Sequence, residues 1–461
     1  MISPGMVEAS GETPLSMSLH PIAGCENSEG IMRVLLIATN QHDRLMSRMN
    51  AQPLPIGLAY LAGALAASPH VVKTLDLMFS EDPLGDVEQA VREFQPALVG
   101  LSIRNLGNQS YLNPQWALPF SKTVIEKVRA LTNATIVCGG PAFSLLPKAV
   151  FAYVEPDLGL AGDAAETFVQ LADCLESGAS YHHLPGVVYR QDGEIILNGG
   201  RCASAFTSPP RLDDLDMQKY AQAGFGIGVL TKLGSFSYPT SGAQAQMDQA
   251  AWRVIRPIDA VVQDVRDMQQ QYGLRKVFFI DNAFNLPLPH AKDLCRALLA
   301  ADVKVHWNTC LAPFGCDQAL IELMKHAGCA LVLMGGMRGD PRDGAGLGDR
   351  VVPMLETCRL CEEQDLHYTL SVAFGEPGET RETVEEKLDF LRSIKPAMAN
   401  LRIGVNILPG TAIAAKALAE GRIADEAELI KPTFYLAETV QDWIVDYLQA
   451  EKAKHPRWNL V

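Results

Sequence analysis

The chain has 461 residues, 48% apolar and 20% charged, an ordinary globular composition with material for two or three domains of roughly 150 residues each. A net charge of −14, with no basic run or aromatic–basic stripe, argues against nucleic acid as a partner. No apolar stretch approaches the roughly 20 residues that span a bilayer, and residues 1–30 carry no signal-peptide pattern, so no membrane association and a cytoplasmic location are expected.

After that N-terminal extension, rich in Ser, Gly, Pro and Glu, short apolar runs alternate with amphipathic segments. Residues 34–38, 72–76, 98–102, 135–138 and 158–160 read as strands, and 57–67, 86–94, 121–131 and 165–176 as helices. Strands alternating with helices predict a parallel sheet with right-handed crossovers, here a doubly wound, Rossmann-like domain over residues 31–178. Residues 179–215 break the pattern. They hold a hairpin, 186–190 and 194–197 around Asp192-Gly193, and a Thr207-Ser208-Pro209-Pro210 linker. A second series follows, with strands at 226–230, 276–281, 305–309, 330–334, 368–374 and 400–406. Six such units predict a partial (β/α)6 TIM-type barrel over residues 216–424, and residues 425–461 read as a helical C-terminal region. The fold class is α/β throughout.

Ten cysteines are scattered along the chain, and only Cys358 and Cys361 form a CxxC. They fall in a helix-like run, 353–365, with no second pair or histidine cluster to complete a ligand set, so a structural role and no metal site are expected.

In a doubly wound sheet, ligands bind where the loops gather at the strand carboxyl ends. Four such loops are unusual here: Pro55, Ile56, Gly57 and Leu58 entering the first helix; Ser102, Arg104 and Asn105 after the third strand; Gly139, Gly140 and Pro141 after the fourth; and Gly162, Asp163 and Glu166 after the fifth. Any one of them reads as a turn, but paired glycines let a backbone approach a large flat ligand. No GxGxxG or phosphate-loop lysine supports a nucleotide instead. Taken in order, the four loops resemble the cobalamin-binding domain attached to radical-SAM enzymes, over residues 32 to about 174. The Asp-x-His-x-x-Gly motif is absent, which the resemblance associates with base-off cobalamin lacking a histidine lower ligand. The Ser-Ile-Arg-Asn loop is similar to the subset that includes tryptophan 2-C-methyltransferase, and this implies Arg104 and Asn105 near the lower cobalt face.

The second domain resembles a radical-SAM barrel with its cluster motif missing. At the family's CxxxCxxC spacing, positions 235, 239 and 242 are Ser, Pro and Gly, and no cysteine lies between Cys202 and Cys295. None of these can replace thiolates at iron, so no 4Fe-4S cluster is expected. Other landmarks persist: the stretch 278–285 with His290 following it, the Gly-x-Pro-Gly-Glu-Thr-like loop at 375–380, and Leu408-Pro409-Gly410-Thr411. Gly335 to Asp340 departs from the family's SAM-side loop, leaving SAM binding open. Candidate catalytic residues are Tyr238 in the altered loop and Asp281, Asn282, Arg338 and Glu376 at strand ends, with His306, Asn308, Arg402 and Asn406 as further strand-end polar groups.

The resemblance implies a cobalamin-dependent enzyme acting on a small molecule, with methyl transfer from methylcobalamin in a specialised-metabolite pathway as the leading expectation. A cyclisation or rearrangement remains open. So does a non-catalytic cobalamin carrier, light sensor or inactive partner.

Overall fold

The computed structural model describes residues 30–40, 52–108, 110–199, 208–222, 227–234, 252–281, 283–337 and 347–461. In the first half of the chain β1 (Arg33–Ala38), α1 (Ile56–Ala66), β2 (Val71–Asp76), α2 (Pro83–Phe94), β3 (Leu98–Ser102), α3 (Leu118–Leu131) and β4 (Thr135–Gly139) follow one another. After them come α4 (Pro141–Leu145), α5 (Pro147–Val154), β5 (Leu158–Leu160), α6 (Ala165–Ser177) and the hairpin β6 (Val187–Gln191) and β7 (Glu194–Leu197). The sheet order is β2-β1-β3-β4-β5-β6-β7, parallel through β5 and antiparallel across the hairpin. The hairpin, which in sequence stands with the linker, therefore extends the first sheet. Asp192 and Gly193 both take positive φ at its tip, the backbone that a two-residue turn between twisted strands requires.

A short helix, α7 (Met217–Gln222), leads into β8 (Ile227–Val229), followed by an antiparallel ribbon of β9 (Lys232–Gly234) and β10 (Trp252–Ile255). The barrel continues with α8 (Ile258–Tyr272), β11 (Lys276–Phe279), α9 (Leu288–Ala300), β12 (His306–Leu311), α10 (Gln318–His326), β13 (Cys329–Met337) and α11 (Leu347–Glu363). Then come β14 (His367–Phe374), α12 (Arg381–Ser393), β15 (Met398–Ile403), β16 (Val405–Asn406) and α13 (Ala412–Ala419). A 3-10 helix (Glu426–Ile430), β17 (Phe434–Tyr435), α14 (Glu438–Gln441), α15 (Ile444–Lys454) and β18 (Trp458–Leu460) complete it. The large sheet runs β8-β11-β12-β13-β14-β15-β18, every neighbouring pair parallel. Six of its strands fall where the sequence puts them. The seventh, β18, comes from the C-terminal region: that region is largely helical, but its last residues return to pair with β15.

Burial alternates along the barrel strands. Residues turned to the helices, such as Trp307, Thr309, Leu370 and Leu401, are fully buried, whereas Phe278, Asn308, Cys310, Ser371, Asn400 and Arg402 on the other face are half-buried. A closed barrel packs its interior. Here the inner face is left accessible. His306 is the exposed first residue of β12, so it lies at the end away from the mouth and is no strand-end candidate.

The two domains meet through α1. Leu58, Leu61, Ala62 and Leu65 pack on the first sheet, while Ile56 and Ala59 join the barrel core, which explains why eight consecutive residues, 58–65, are buried. Tyr60 on the same helix donates to Asp264 of α8 at 3.3 Å. Arg256 pairs with that carboxylate at 2.8 Å, donates to Leu230 O, and lies over the Tyr60 ring. No helix among the described residues is long and apolar enough to cross a membrane.

Candidate functional site

Register places the carboxyl ends of the central strands level, with Ala38 opposite Ser102 and Ser102 opposite Gly139. Ser102 O accepts from Thr39 Oγ1 at 3.0 Å, Ile103 N donates to Gly139 O at 2.9 Å, and Gly162 N donates to Ser144 Oγ at 2.9 Å. The end of β1 and the loops after β3, β4 and β5 are thus stitched into one rim. Gly140 has φ of +98°, and a Cβ there would lie 2.7 Å from Ile103 O, so only glycine lets the two loops approach this closely.

A cavity of about 280 Å³ opens beside β1 and β3, the point where the strand order reverses. Arg104 and Asn105 line it, as the sequence suggests. So do Pro53, in the loop that enters α1, and Thr39, Met78 and Trp116, which no local motif singles out. Gly139, Gly140, Pro141, Gly162, Asp163 and Glu166 do not line this cavity and sit at the adjacent β4 and β5 ends. Gly57 is exposed at the start of α1, Pro55 and Ile56 stand at its entry, and Leu58 is committed to the core. Leu112, on the loop after β3, and Leu145, at the end of α4, are 43% and 44% exposed, leaving apolar surface around the rim.

Behind the rim, Tyr220 of α7 donates to Asp76 at 2.5 Å. Burial raises the Asp76 carboxyl above its usual range, against the bonds from Tyr220 and Met78 N, and burial raises the Tyr220 hydroxyl as well.

The barrel mouth is built differently. Asp281, just past β11, accepts from Thr231 Oγ1 and from Lys232 Nζ at 3.0 Å, with both charged side chains wholly buried. Among the described residues its other oxygen has no hydrogen-bond partner, nor does buried Nε2 of nearby His290. Burial lowers the Lys232 ammonium, opposed by Asp281, and burial together with Lys232 lowers His290. Glu376 is similarly engaged: Lys387 of α12 reaches Glu376 at 2.9 Å, Glu379 at 2.6 Å and Ala373 O at 2.8 Å. Burial opposes charge on Lys387, but the two carboxylates outweigh it and the ammonium is raised. Glu379 also accepts the N–H groups of Gly375 and Glu376, so the charges fix the loop's shape.

Tyr238, Asn282 and Arg338 lie outside the described residues, as does the whole stretch 235–251 between β9 and β10. Cys358 and Cys361 are fully buried free thiols of α11; burial pushes Cys358 up to about 12 and raises Cys361 as well, as befits core residues. No cluster of three or more His, Cys, Asp or Glu suited to a metal ion occurs among the described residues.

Residues 46–172 match the B12 binding domain family. The chain is 23% identical to an uncharacterised methyltransferase of Pyrococcus horikoshii over 83% of this chain and 82% of that protein. It is 27% identical to tryptophan 2-C-methyltransferase of Streptomyces laurentii, covering 79% and 72%. Its fold matches that of the radical S-adenosylmethionine methyltransferase TsrM from Kitasatospora setae, solved with cobalamin and a 4Fe-4S cluster bound: TM-score 0.76 at 20% identity, covering 93% of this chain and 91% of that one. The cobalamin-dependent enzyme OxsB matches at TM-score 0.61 and 15% identity over 92% and 62%. Residues 46–172 thus resemble a B12 binding domain, and the fold as a whole is similar to the folds of TsrM and OxsB.

Proposed function

We propose that this protein is a cobalamin-dependent methyltransferase acting on a small metabolite without a 4Fe-4S cluster. The observation that carries the reading is the opposition of two strand-end faces. The rim of the first domain, through Tyr111 on its β3 loop, packs against Gly404 and Phe434 at the carboxyl end of the barrel. A corrin on that rim would close the barrel mouth.

The residues fit such a ligand. Gly140 keeps the rim low, Leu112 and Leu145 offer apolar contact, and Arg104 and Asn105 face the cavity, whose described lining residues include no histidine. The rim residues Pro55, Ile56, Gly57, Leu58, Ser102, Gly139, Pro141, Gly162, Asp163 and Glu166 complete the proposed site, Leu58 by positioning α1 from the core. Bound cobalamin would supply a transferable methyl group. The chain's own part is to hold the corrin, exclude water from the space beneath it, and orient the substrate against the half-buried inner face of the barrel. The cluster does not fit: Ser235, Pro239 and Gly242 offer iron no thiolate. Tyr238, Asp281, Asn282, Arg338 and Glu376 remain the candidates for substrate contact, Asp281 through its unpaired oxygen.

The test is anaerobic purification with hydroxocobalamin, followed by optical spectroscopy and metal analysis. The expected result is one cobalt per chain with base-off features and no stoichiometric iron. Absence of bound corrin would refute the cofactor assignment, and stoichiometric iron with sulfide would refute the cluster-free reading. Loss of the methyl–cobalt band on adding candidate metabolites to the methylcobalamin form separates an enzyme from a carrier.

A further inference from the structure

We infer that residues 429–435, more than three hundred positions after the β3 loop in sequence, form a strap that shapes the corrin pocket from behind and ties it to the barrel mouth. The inference rests on the reading of the first domain as a corrin binder.

The pocket wall in question is the loop from Ile103 to Ala117. On its front, Arg104, Asn105, Gly107, Asn108, Gln115 and Trp116 line the cavity. Its internal ties among the described residues include a bridge between Gly107 and Trp116, the Asn108 side chain, which accepts from Gln115 N at 2.8 Å and donates to Asn113 O at 2.9 Å, and Asn113 N donating to Ser110 Oγ at 3.3 Å. A loop of this length without secondary structure of its own needs outside contacts to offset its ordering entropy.

Tyr153 of α5 meets the Trp116 ring at 4.8 Å, and further contacts come from the other end of the chain. Trp116 Nε1 donates to Ile430 O at 2.8 Å, and Lys431 Nζ lies 5.4 Å above the same ring. A Cβ on Gly107 would stand 2.5 Å from Pro432 Cγ, so the strap is pressed directly against the loop backbone. Tyr111 meets Phe434 edge-to-face at 5.9 Å. Ile430 joins the apolar cluster of the first domain alongside Leu106 and Trp116.

The strap is anchored to the barrel on either side of these contacts. Phe434 and Tyr435 pair with Asn406 and Val405, directly after β15, and Ile407 N donates to Thr433 O at 2.9 Å. Glu426 accepts from Gly410 N through both carboxylate oxygens at 3.1 Å. The segment therefore has one footing at the barrel mouth and the other on the pocket wall. Holding the loop in its binding shape beforehand reduces the entropy lost when a corrin binds.

The experiment uses the full-length chain carrying Pro432→Gly with Phe434→Ala, and separately Trp116→Phe. Trp443→Phe, a ring held by Arg381 and Tyr447 elsewhere in the C-terminal region, serves as the control. Amide hydrogen exchange is measured without cofactor, and hydroxocobalamin affinity by titration. The double variant should speed exchange of residues 106–117 by about tenfold, leave β1 and β3 protected, and weaken hydroxocobalamin by about tenfold. Trp116→Phe should give a smaller change of the same kind, and Trp443→Phe none. Unchanged exchange at residues 106–117 would overturn the strap. Faster exchange with unchanged corrin affinity would overturn its part in the pocket. A wild-type chain that takes up no corrin would instead overturn the cobalamin reading, and the exchange comparison tells the two failures apart because it needs no cofactor.

Discussion

The two halves of this molecule present their strand ends in opposite ways. The first domain offers backbone: glycines at level strand termini, carbonyls and amides stitched into a rim, and few charges. The barrel offers charge, but much of it is turned inward, with Asp281 held by Lys232 and Glu376 held by Lys387. A rim made of backbone is suited to a large flat ligand. A mouth whose carboxylates are neutralised internally has a fixed shape, and fewer of its groups are free to react. A polar residue at a barrel strand end is therefore weaker evidence of catalysis than a glycine that geometry requires.

The largest effect should come from breaking the barrel's charge network. Lys387→Met removes the buried ammonium that Glu376 and Glu379 share and should cost about 3–5 kcal/mol of unfolding free energy, measured by denaturant titration. Adding Glu376→Gln and Glu379→Gln to that variant should restore much of the loss. If Lys387→Met is neutral, the loop is held by packing and the contrast between the halves collapses. Lys232→Met should be nearly as damaging, about 3 kcal/mol, because the wholly buried Asp281 then keeps, among the described residues, its bond from Thr231 alone. A double-mutant cycle with Asp281→Asn sharpens the point: strong coupling marks an internal strut.

In the first domain the expected effects are smaller and fall on binding. Gly140→Ala should cost about 1–3 kcal/mol of stability from the strained positive φ and the contact with Ile103 O, and hydroxocobalamin affinity should fall with it. A variant that folds well and binds corrin normally would remove the argument that the rim needs glycine there.

The smallest effect is a pH dependence. Because burial raises the Asp76 carboxyl, the folded chain holds that proton more tightly than the unfolded one. The stability this contributes is fully present below the ordinary value of 3.8 and is lost as pH rises through the raised value. Asp76→Asn should flatten that slope in thermal unfolding curves recorded across the acid range. An unchanged slope would mean that Asp76 does not titrate differently on folding.

The sequence by itself determined the succession of strands and helices, the hairpin turn at Asp192-Gly193, the glycine loops at 139–140 and 162, and the absence of thiolates at 235, 239 and 242. These are local properties: side-chain period, turn chemistry and ligand chemistry act within a few residues of where they are written. Tertiary structure decided what pairs across the chain. It set β18 beside β15 and added the hairpin to the first sheet. It placed His306 at the far end of its strand and spent Asp281 and Glu376 on buried lysines. It also built the cavity from Thr39, Met78 and Trp116, and brought Ile430 against Trp116. Each of these depends on segments tens to hundreds of residues apart meeting in one place, and no periodicity or motif along the chain encodes such a meeting.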